Sequence, residues 1–503
     1  MTSTRTLDRL LAFGRGDAPA ITAPGAEALT YDGFRKLVAE TIASLNDFGI
    51  GRNDRVAIVL PNGPKMATAF VTIACGATAA PLNPAYRADE FEFYMSDLGA
   101  RALVVGAGSA SPAIDVAKKL GILVLTLTPG RVAGAFSLSG GERGTAARPG
   151  LAAPEDVALI LHTSGTTSRP KIVPLTQSNV VASADNIART VEFSEADCGL
   201  NIMPLFHIHG LIAGLLAPLS RGGRVFCTPG FNALKFFAWM DESKPTWYTA
   251  VPTMHQAILM RAGHNKHVIA RHPLRFIRSS SASLPPQLIA ELEATFHAPV
   301  IEAYGMTEAA HQMASNPLRG VRKPAAVGLA AGPEVAIMDE DGRLLGAGEV
   351  GEIVIRGDNV TAGYENNPAA NAAAFVNGWF RTGDQGVKDA EGYISLTGRL
   401  KEIIIRGGEK ISPREIDEAL MDHPAVLQVV TFAMPHGKLG EDVAAAVVLR
   451  DGASASEAEL RAFLSERLAA FKTPRKIIFL AEIPKGATGK LQRIGLAQKL
   501  GLA

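Results

Sequence analysis

Along this chain, apolar β-branched runs alternate with segments whose apolar residues recur three or four apart. Arg55–Leu60 (RVAIVL), Ala102–Val105 (ALVV) and Gly121–Thr126 (GILVLT) read as buried strands, with helical patterns between them. Continuous apolar strands separated by helices predict an α/β layered fold with mostly parallel sheet. Met66–Tyr86 and Cys198–Ser220 lack Asp, Glu, Lys and Arg, but Thr, Gly, Pro, Asn and His interrupt them, so they read as core and not as membrane spans. Ser137–Pro154, rich in Gly, Ser, Ala and Arg, reads as a surface loop. From Pro333 the texture changes. Val335–Met338, the turn Asp339–Gly342 and Gly351–Arg356 predict hairpins and a β-rich subdomain. After Gly398-Arg399-Leu400-Lys401 a further unit begins. Ser412-Pro413-Arg414-Glu415 has capping-box spacing with proline at the first helical position, and Ser456 to Glu459 repeats the spacing. The last hundred residues therefore read as a small α+β domain.

Composition narrows the function classes. The 503 residues suffice for a large core and a second unit. Lys plus Arg number 50 and Asp plus Glu 49, so no global field favours nucleic acid or an anionic membrane. The three cysteines, Cys75, Cys198 and Cys227, show neither CxxC nor zinc spacing. They fit a reducing compartment. The first residues do not read as a secretory signal and the last three, GLA, do not read as a peroxisomal address, so a cytoplasmic location is the expectation.

The chemistry is concentrated in a few segments. Thr163–Lys171 (TSGTTSRPK) is a hydroxyl-rich loop broken by glycine. Thr163, Ser164, Thr166 and Thr167 supply hydroxyls, Gly165 lets the backbone turn so that amides can face an anion, and Lys171 adds positive charge. It is not a Walker loop, because GxxxxGK[ST] is absent. Far away, Pro484–Lys490 (PKGATGK) puts a lysine on a glycine-containing turn. Between them lie Tyr304-Gly-Met-Thr-Glu308 and Thr382-Gly-Asp384. Each segment alone is more often a solvated turn; their order and spacing reverse that judgement.

Together these motifs resemble the adenylate-forming superfamily of acyl-CoA synthetases, luciferases and peptide-synthetase adenylation domains. The resemblance implies an N-terminal AMP-binding domain over 1–398, a hinge at 399–401 centred on Lys401, and a mobile C-terminal domain over 402–503. It implies ATP, Mg²⁺ and CoA as the cofactor and cosubstrates, with a small-molecule carboxylic acid as the other partner. Tyr304 and the small-residue turn at Ser281 and Ala282 would flank adenine. Thr307 would contact the α-phosphate and Glu308 would hold the metal. Asp384 and Arg399 would bind the ribose hydroxyls, and Lys490 would bridge the acyl carboxylate and the α-phosphate. After rotation of the C-terminal domain, Gly408-Glu409-Lys410 would face the thiol tunnel.

Pro204–Gly210 (PLFHIHG) matches the superfamily's acyl-pocket segment. No aspartate stands there to receive an ammonium group, which argues against amino-acid activation. His207 is uninformative about the acid. His209 and His311 are less usual; His311 follows Glu308 by three residues, a spacing that suits one helical face. With Ser281 they suit a small acid bearing a second carboxylate, since desolvating that charge is costly unless it is hydrogen-bonded or paired. At closer range nearly the whole chain resembles the oxalate–CoA ligase subfamily, in which the serine and histidine matching Ser281 and His311 line the acid pocket. The TSRPK ending marks that subfamily; Ile172, where glycine is usual, departs from it. The expected reaction is formation of an acyl-AMP and transfer to CoA. Malonate, glycolate, a medium-chain or an aryl acid remain as alternatives, as does a non-catalytic nucleotide-binding relative. Arg278 is the nearest arginine to the acyl motifs.

Overall fold

The computed structural model describes residues 5–163, 170–484 and 491–502. Ser164, Gly165, Thr166, Thr167 and Lys490 lie outside the described residues.

The predicted strands form, and they are parallel. Arg55–Val59, Thr78–Pro81, Ala102–Gly106 and Leu123–Pro129 are neighbours in one sheet. Among the described residues that sheet has seven strands. One edge is the strand Phe136–Ser139, antiparallel to Leu123–Pro129, so the segment expected to be a loop begins with a short strand. At the other edge Val157–Thr163 and Lys171–Thr176 form a hairpin in which Thr163 pairs with Lys171. The two ends of the hydroxyl-rich loop are thereby fixed across one rung of a ladder. Ile172, the next residue, is buried beside Phe91, Met95, Leu103 and Ile160. Its side chain completes the core under the hairpin, which accounts for a large apolar residue there.

A second sheet, nine-stranded among the described residues, holds the parallel run Arg224–Cys227, Cys198–Asn201, Trp247–Ala250, Phe276–Ser279 and Val300–Met306. Trp247–Ala250 and Phe276–Ser279 are buried throughout, which requires cover on both faces. In open parallel sheets ligands gather beyond the carboxyl ends of the strands. His209, Ser281 and the Tyr304–Glu308 segment all follow such ends.

The hairpins predicted after Pro333 are present, with Glu334–Met338 antiparallel to Val350–Arg356 in a five-stranded β-rich subdomain. Asp384 and Arg399 face each other across the strands Trp379–Lys388 and Ile394–Arg399. The smaller C-terminal domain has its own sheet, five-stranded among the described residues, and a core that includes Ile404, Ile416, Leu420, Val443 and Leu460.

The two capping boxes behave differently. Ser456 accepts from the Glu459 amide at 3.2 Å, and Glu459 returns the bond to the Ser456 amide at 2.7 Å. Ser412 makes no cap: its hydroxyl donates to the Thr397 carbonyl, and Glu415 pairs with Lys472 at 2.6 Å. Proline still starts that helix, Pro413–Met421. The Ser412 hydroxyl instead ties the helix to the strand Ile394–Arg399.

Candidate active site

A cavity of about 370 Å³ lies between the two domains. Ser281, Ala282, Tyr304, Gly305, Asp384 and Arg399 line it from the N-terminal side, and Arg414, Asp417 and Arg493 from the C-terminal side. Five of the predicted binding residues therefore share one space. The domains also meet directly: Gln256 donates to the Leu427 carbonyl at 3.2 Å and accepts from Gln428 at 2.8 Å.

Tyr304, Asp384 and Arg399 form one hydrogen-bonded unit. The Tyr304 hydroxyl donates to Asp384 Oδ2 at 2.6 Å, and Arg399 Nε donates to Oδ1 at 2.7 Å. Burial pushes the Tyr304 hydroxyl well above its ordinary range, and the adjacent Asp384 charge adds to this. Partial burial opposes the Arg399 charge, but the Asp384 carboxylate outweighs it and holds the guanidinium protonated. The Asp384 amide donates to Thr382 Oγ1 at 3.1 Å, which ties the carboxylate's backbone to the strand.

Gly305 has a steric reason. A Cβ there would lie 1.9 Å from the His311 carbonyl oxygen, because Val300–Met306 folds back on His311–Ser315. Glu308 and His311 do not share a helical face. Thr307–Ala309 is a single 3-10 turn, and Ala310 and His311 then take φ of 46° and 105°. These left-handed values reverse the chain and place His311 in a strand. Two successive non-glycine residues in that region are strained, which is common where side-chain placement matters.

Glu308 is buried. Its Oε1 accepts from the Tyr364 hydroxyl at 2.8 Å. Burial raises its ionisation range, opposed by the Tyr364 bond and by the nearby charges of Lys171 and Arg399. The Lys171 ammonium lies 4.1 Å from the Tyr364 ring centroid. Burial lowers the Lys171 range, the Lys401 charge lowers it further, and Glu308 opposes both. The loop end at Lys171, Glu308 and Lys401 are thus within one electrostatic neighbourhood. Mg²⁺ fits this place: it commonly takes one or two carboxylates together with phosphate oxygens and water. Among the described residues no group of three or more His, Cys, Asp or Glu could hold a metal, so the nucleotide's phosphates would complete the ligand set.

His209 and His311 stack with ring centroids 4.9 Å apart and planes 20° apart. His209 opens the π-helical segment His209–Leu216, and its Nδ1 lies 3.1 Å from Ser281 Oγ. Ser281 has φ of 74°. His207 is half-buried two residues away, its Nδ1 accepting from the His209 amide at 3.3 Å.

Lys410 is elsewhere. It is exposed on the hairpin Ile404–Arg406 and Glu409–Ile411, with its ammonium 3.6 Å from Glu340. Lys472 pairs with Glu415, and Arg475 lies 3.6 Å from Asp442, so both are held within the C-terminal domain. Three contributors escaped sequence reasoning. Tyr364 sits in a loop with no motif, and Thr249 and Gln312 resemble ordinary core positions.

Glu302 is a further buried carboxyl lining the cavity; its Oε1 accepts from the Leu284 amide at 3.1 Å. Burial raises its pKa to about 7. An unfolded glutamate titrates near about 4.3. Between these values the folded state binds more protons, so stability declines as pH rises through about 7. Glu302→Gln keeps the acceptor and cannot ionise. Its melting temperature is expected to gain on the wild type between about pH 4.5 and 7, and to keep a constant lead above that. Parallel melting curves across that range would show that Glu302 is not the responsible group.

Residues 11–365 match the AMP-binding enzyme family, and residues 415–490 match the AMP-binding enzyme C-terminal domain. The oxalate–CoA ligase of Arabidopsis thaliana is 45% identical, over 96% of this chain and 95% of that protein. The oxalate–CoA ligase of Saccharomyces cerevisiae is 42% identical, over 89% and 87%. ATP-bound MatB from Rhodopseudomonas palustris superposes with a TM-score of 0.88 at 29% identity, over 99% of both chains. With both its large and its small domain matched, the chain belongs to the AMP-binding enzyme family.

Proposed function

We propose that oxalate is the acid activated by this AMP-forming acid–CoA ligase. The observation that carries this reading is the polar floor of the acyl pocket. Ser281, His209 and His311 form one hydrogen-bonded and stacked group where a long-chain or aryl acid would need apolar walls. The likeness to two oxalate–CoA ligases supports it.

The mechanism has two steps. The acid's carboxylate attacks the α-phosphate of ATP, giving acyl-AMP and pyrophosphate. CoA thiolate then attacks the acyl carbon and AMP leaves. Asp384 and Arg399 hold the ribose, and Tyr304, braced by Asp384, flanks adenine with Ser281 and Ala282 opposite. Thr163, Ser164, Gly165, Thr166, Thr167 and Lys171 hold the outgoing phosphates. Thr307 donates to the α-phosphate, and His207 closes the wall between nucleotide and acid. Glu308 would hold Mg²⁺, which neutralises phosphate charge when bound. Lys490 screens the two anions as they meet. Lys401 marks the hinge within 399–401, between an N-terminal domain over 1–398 and a C-terminal domain over 402–503. Lys410, remote from the cavity in this arrangement, serves the thioester step after rotation. The enzyme works in the cytoplasm, where its three buried cysteines stay as thiols. No described helix is long and apolar enough to cross a membrane.

The test is AMP release with ATP, Mg²⁺ and CoA over oxalate, malonate, glycolate, acetate, octanoate and a cinnamate. Oxalate is expected to give the highest kcat/KM. Preference for octanoate or cinnamate would leave the two-step chemistry standing and overturn the acid assignment.

A further inference from the structure

Arg278 lies on the strand Phe276–Ser279 and is fully buried. Its neighbours in the sheet are Thr249 on one side and Ile301 on the other. Burial of a guanidinium without a counter-ion is costly, yet no carboxylate among the described residues pairs with it. One terminal nitrogen donates to Gln312 Oε1 at 3.1 Å. The Gln312 amide orientation is set by its own donation to the Ala331 carbonyl at 3.0 Å and to Thr190 Oγ1 at 3.1 Å. The other terminal nitrogen lies 3.4 Å from His209 Nε2, and Nε has no hydrogen-bond partner among the described residues. The burial lowers the Arg278 pKa to about 9, which still leaves it charged near neutrality.

A guanidinium only donates. A proton on His209 Nε2 would face the Arg278 N–H, so Nε2 must present its lone pair. Thr249 Oγ1, 2.6 Å from the same nitrogen, then donates to that one lone pair too, as the shorter branch of a bifurcated bond whose longer branch is Arg278. The ring proton therefore sits on Nδ1 and is directed at Ser281 Oγ, 3.1 Å away. Ser281 Oγ accepts that bond, and its own proton is released toward the acyl pocket.

We propose that Arg278 is a positioning residue that sets acid selectivity: it fixes the His209 tautomer, the tautomer turns the Ser281 hydroxyl into a donor toward the substrate, and the unopposed buried charge favours an acid with a second carboxylate. This rests on the oxalate reading above. Arg278 acts through His209 and Ser281 and does not itself touch the acid. An acid with an uncharged tail gains little from the arrangement, because it presents no anion to either the directed hydroxyl or the field.

The experiment compares kcat and KM for oxalate and glycolate in the wild type, Arg278→Met and Arg278→Lys, using full-length protein with ATP, Mg²⁺ and CoA. Arg278→Met is expected to lower the oxalate-to-glycolate ratio of kcat/KM by on the order of 10- to 100-fold, chiefly through KM for oxalate. Arg278→Lys, which keeps the charge, is expected to recover part of the ratio. Equal losses for both acids in Arg278→Met would overturn the proposal while leaving the oxalate reading intact. A wild type that prefers glycolate would overturn both. Should Arg278→Met fail to fold, His209→Asn and His209→Gln decide. Asparagine places an amide near Nδ1 and is expected to keep more oxalate selectivity than glutamine, which places one near Nε2; the reverse order, or equality, would overturn the tautomer assignment.

Discussion

Lys490→Ala is expected to lower acyl-AMP formation by at least about 10³-fold while thioester formation from supplied acyl-AMP falls only a few-fold. The reason is electrostatic. The acid carboxylate and the α-phosphate are both anionic, and they must approach within bonding distance in a space with limited water. Lys171 and Arg399 are already committed, the first against the Tyr364 ring near Glu308 and the second to Asp384 at 2.7 Å. Once acyl-AMP exists, the incoming group is a thiolate on a different face, and the lysine's charge no longer bears on the rate-limiting approach. Rapid-quench assays of each half-reaction separate the two outcomes. Equal loss in both would mean that Lys490 supports the fold of the C-terminal domain and not the first step.

The parts of this protein legible from sequence are those set by local pattern. Continuous apolar runs at Arg55–Val59 and Ala102–Gly106 have one stable use, as parallel strands covered on both faces. The hydroxyl-rich segment is legible from its residue types alone; the structure adds that its two ends, Thr163 and Lys171, pair across neighbouring strands. The illegible parts depend on what comes near in space. Ser412 has the spacing of a cap, but the Thr397 carbonyl competes for its hydroxyl. Glu308 and His311 have helical spacing, but two left-handed residues intervene and the chain reverses. Arg278 can be named from sequence as the nearest arginine to the acyl motifs, but nothing local shows what its side chain meets. Only the sheet order puts it beside Thr249, and only the fold-back of His311–Ser315 brings Gln312 to its other side. Tyr364 has no local signature, because its function consists of meeting Glu308, 56 positions away.

Glu308→Gln is expected to lower kcat for AMP release by on the order of 10²- to 10³-fold and to raise the melting temperature of the ligand-free enzyme. Both effects follow from one fact: a carboxylate has been buried where burial disfavours its charge. Tyr364 satisfies one oxygen, and Lys171 and Arg399 offset the penalty without forming an ion pair with it. A structural role would favour glutamine, which keeps an acceptor for the Tyr364 hydroxyl and needs no counter-charge. Retaining the negative charge makes physical sense if a cation arrives with the nucleotide, since the unfavourable burial is then relieved on binding. The wild type should therefore gain more thermal stability from Mg²⁺ plus ATP than from ATP alone. Glu308→Gln should lose most of that difference while still responding to nucleotide through Asp384 and Arg399. Differential scanning fluorimetry with ATP, with and without Mg²⁺, measures it. An unchanged Mg²⁺-dependent shift in the variant would place the metal elsewhere; a variant less stable than the wild type without ligand would show that the Glu308 charge supports the fold.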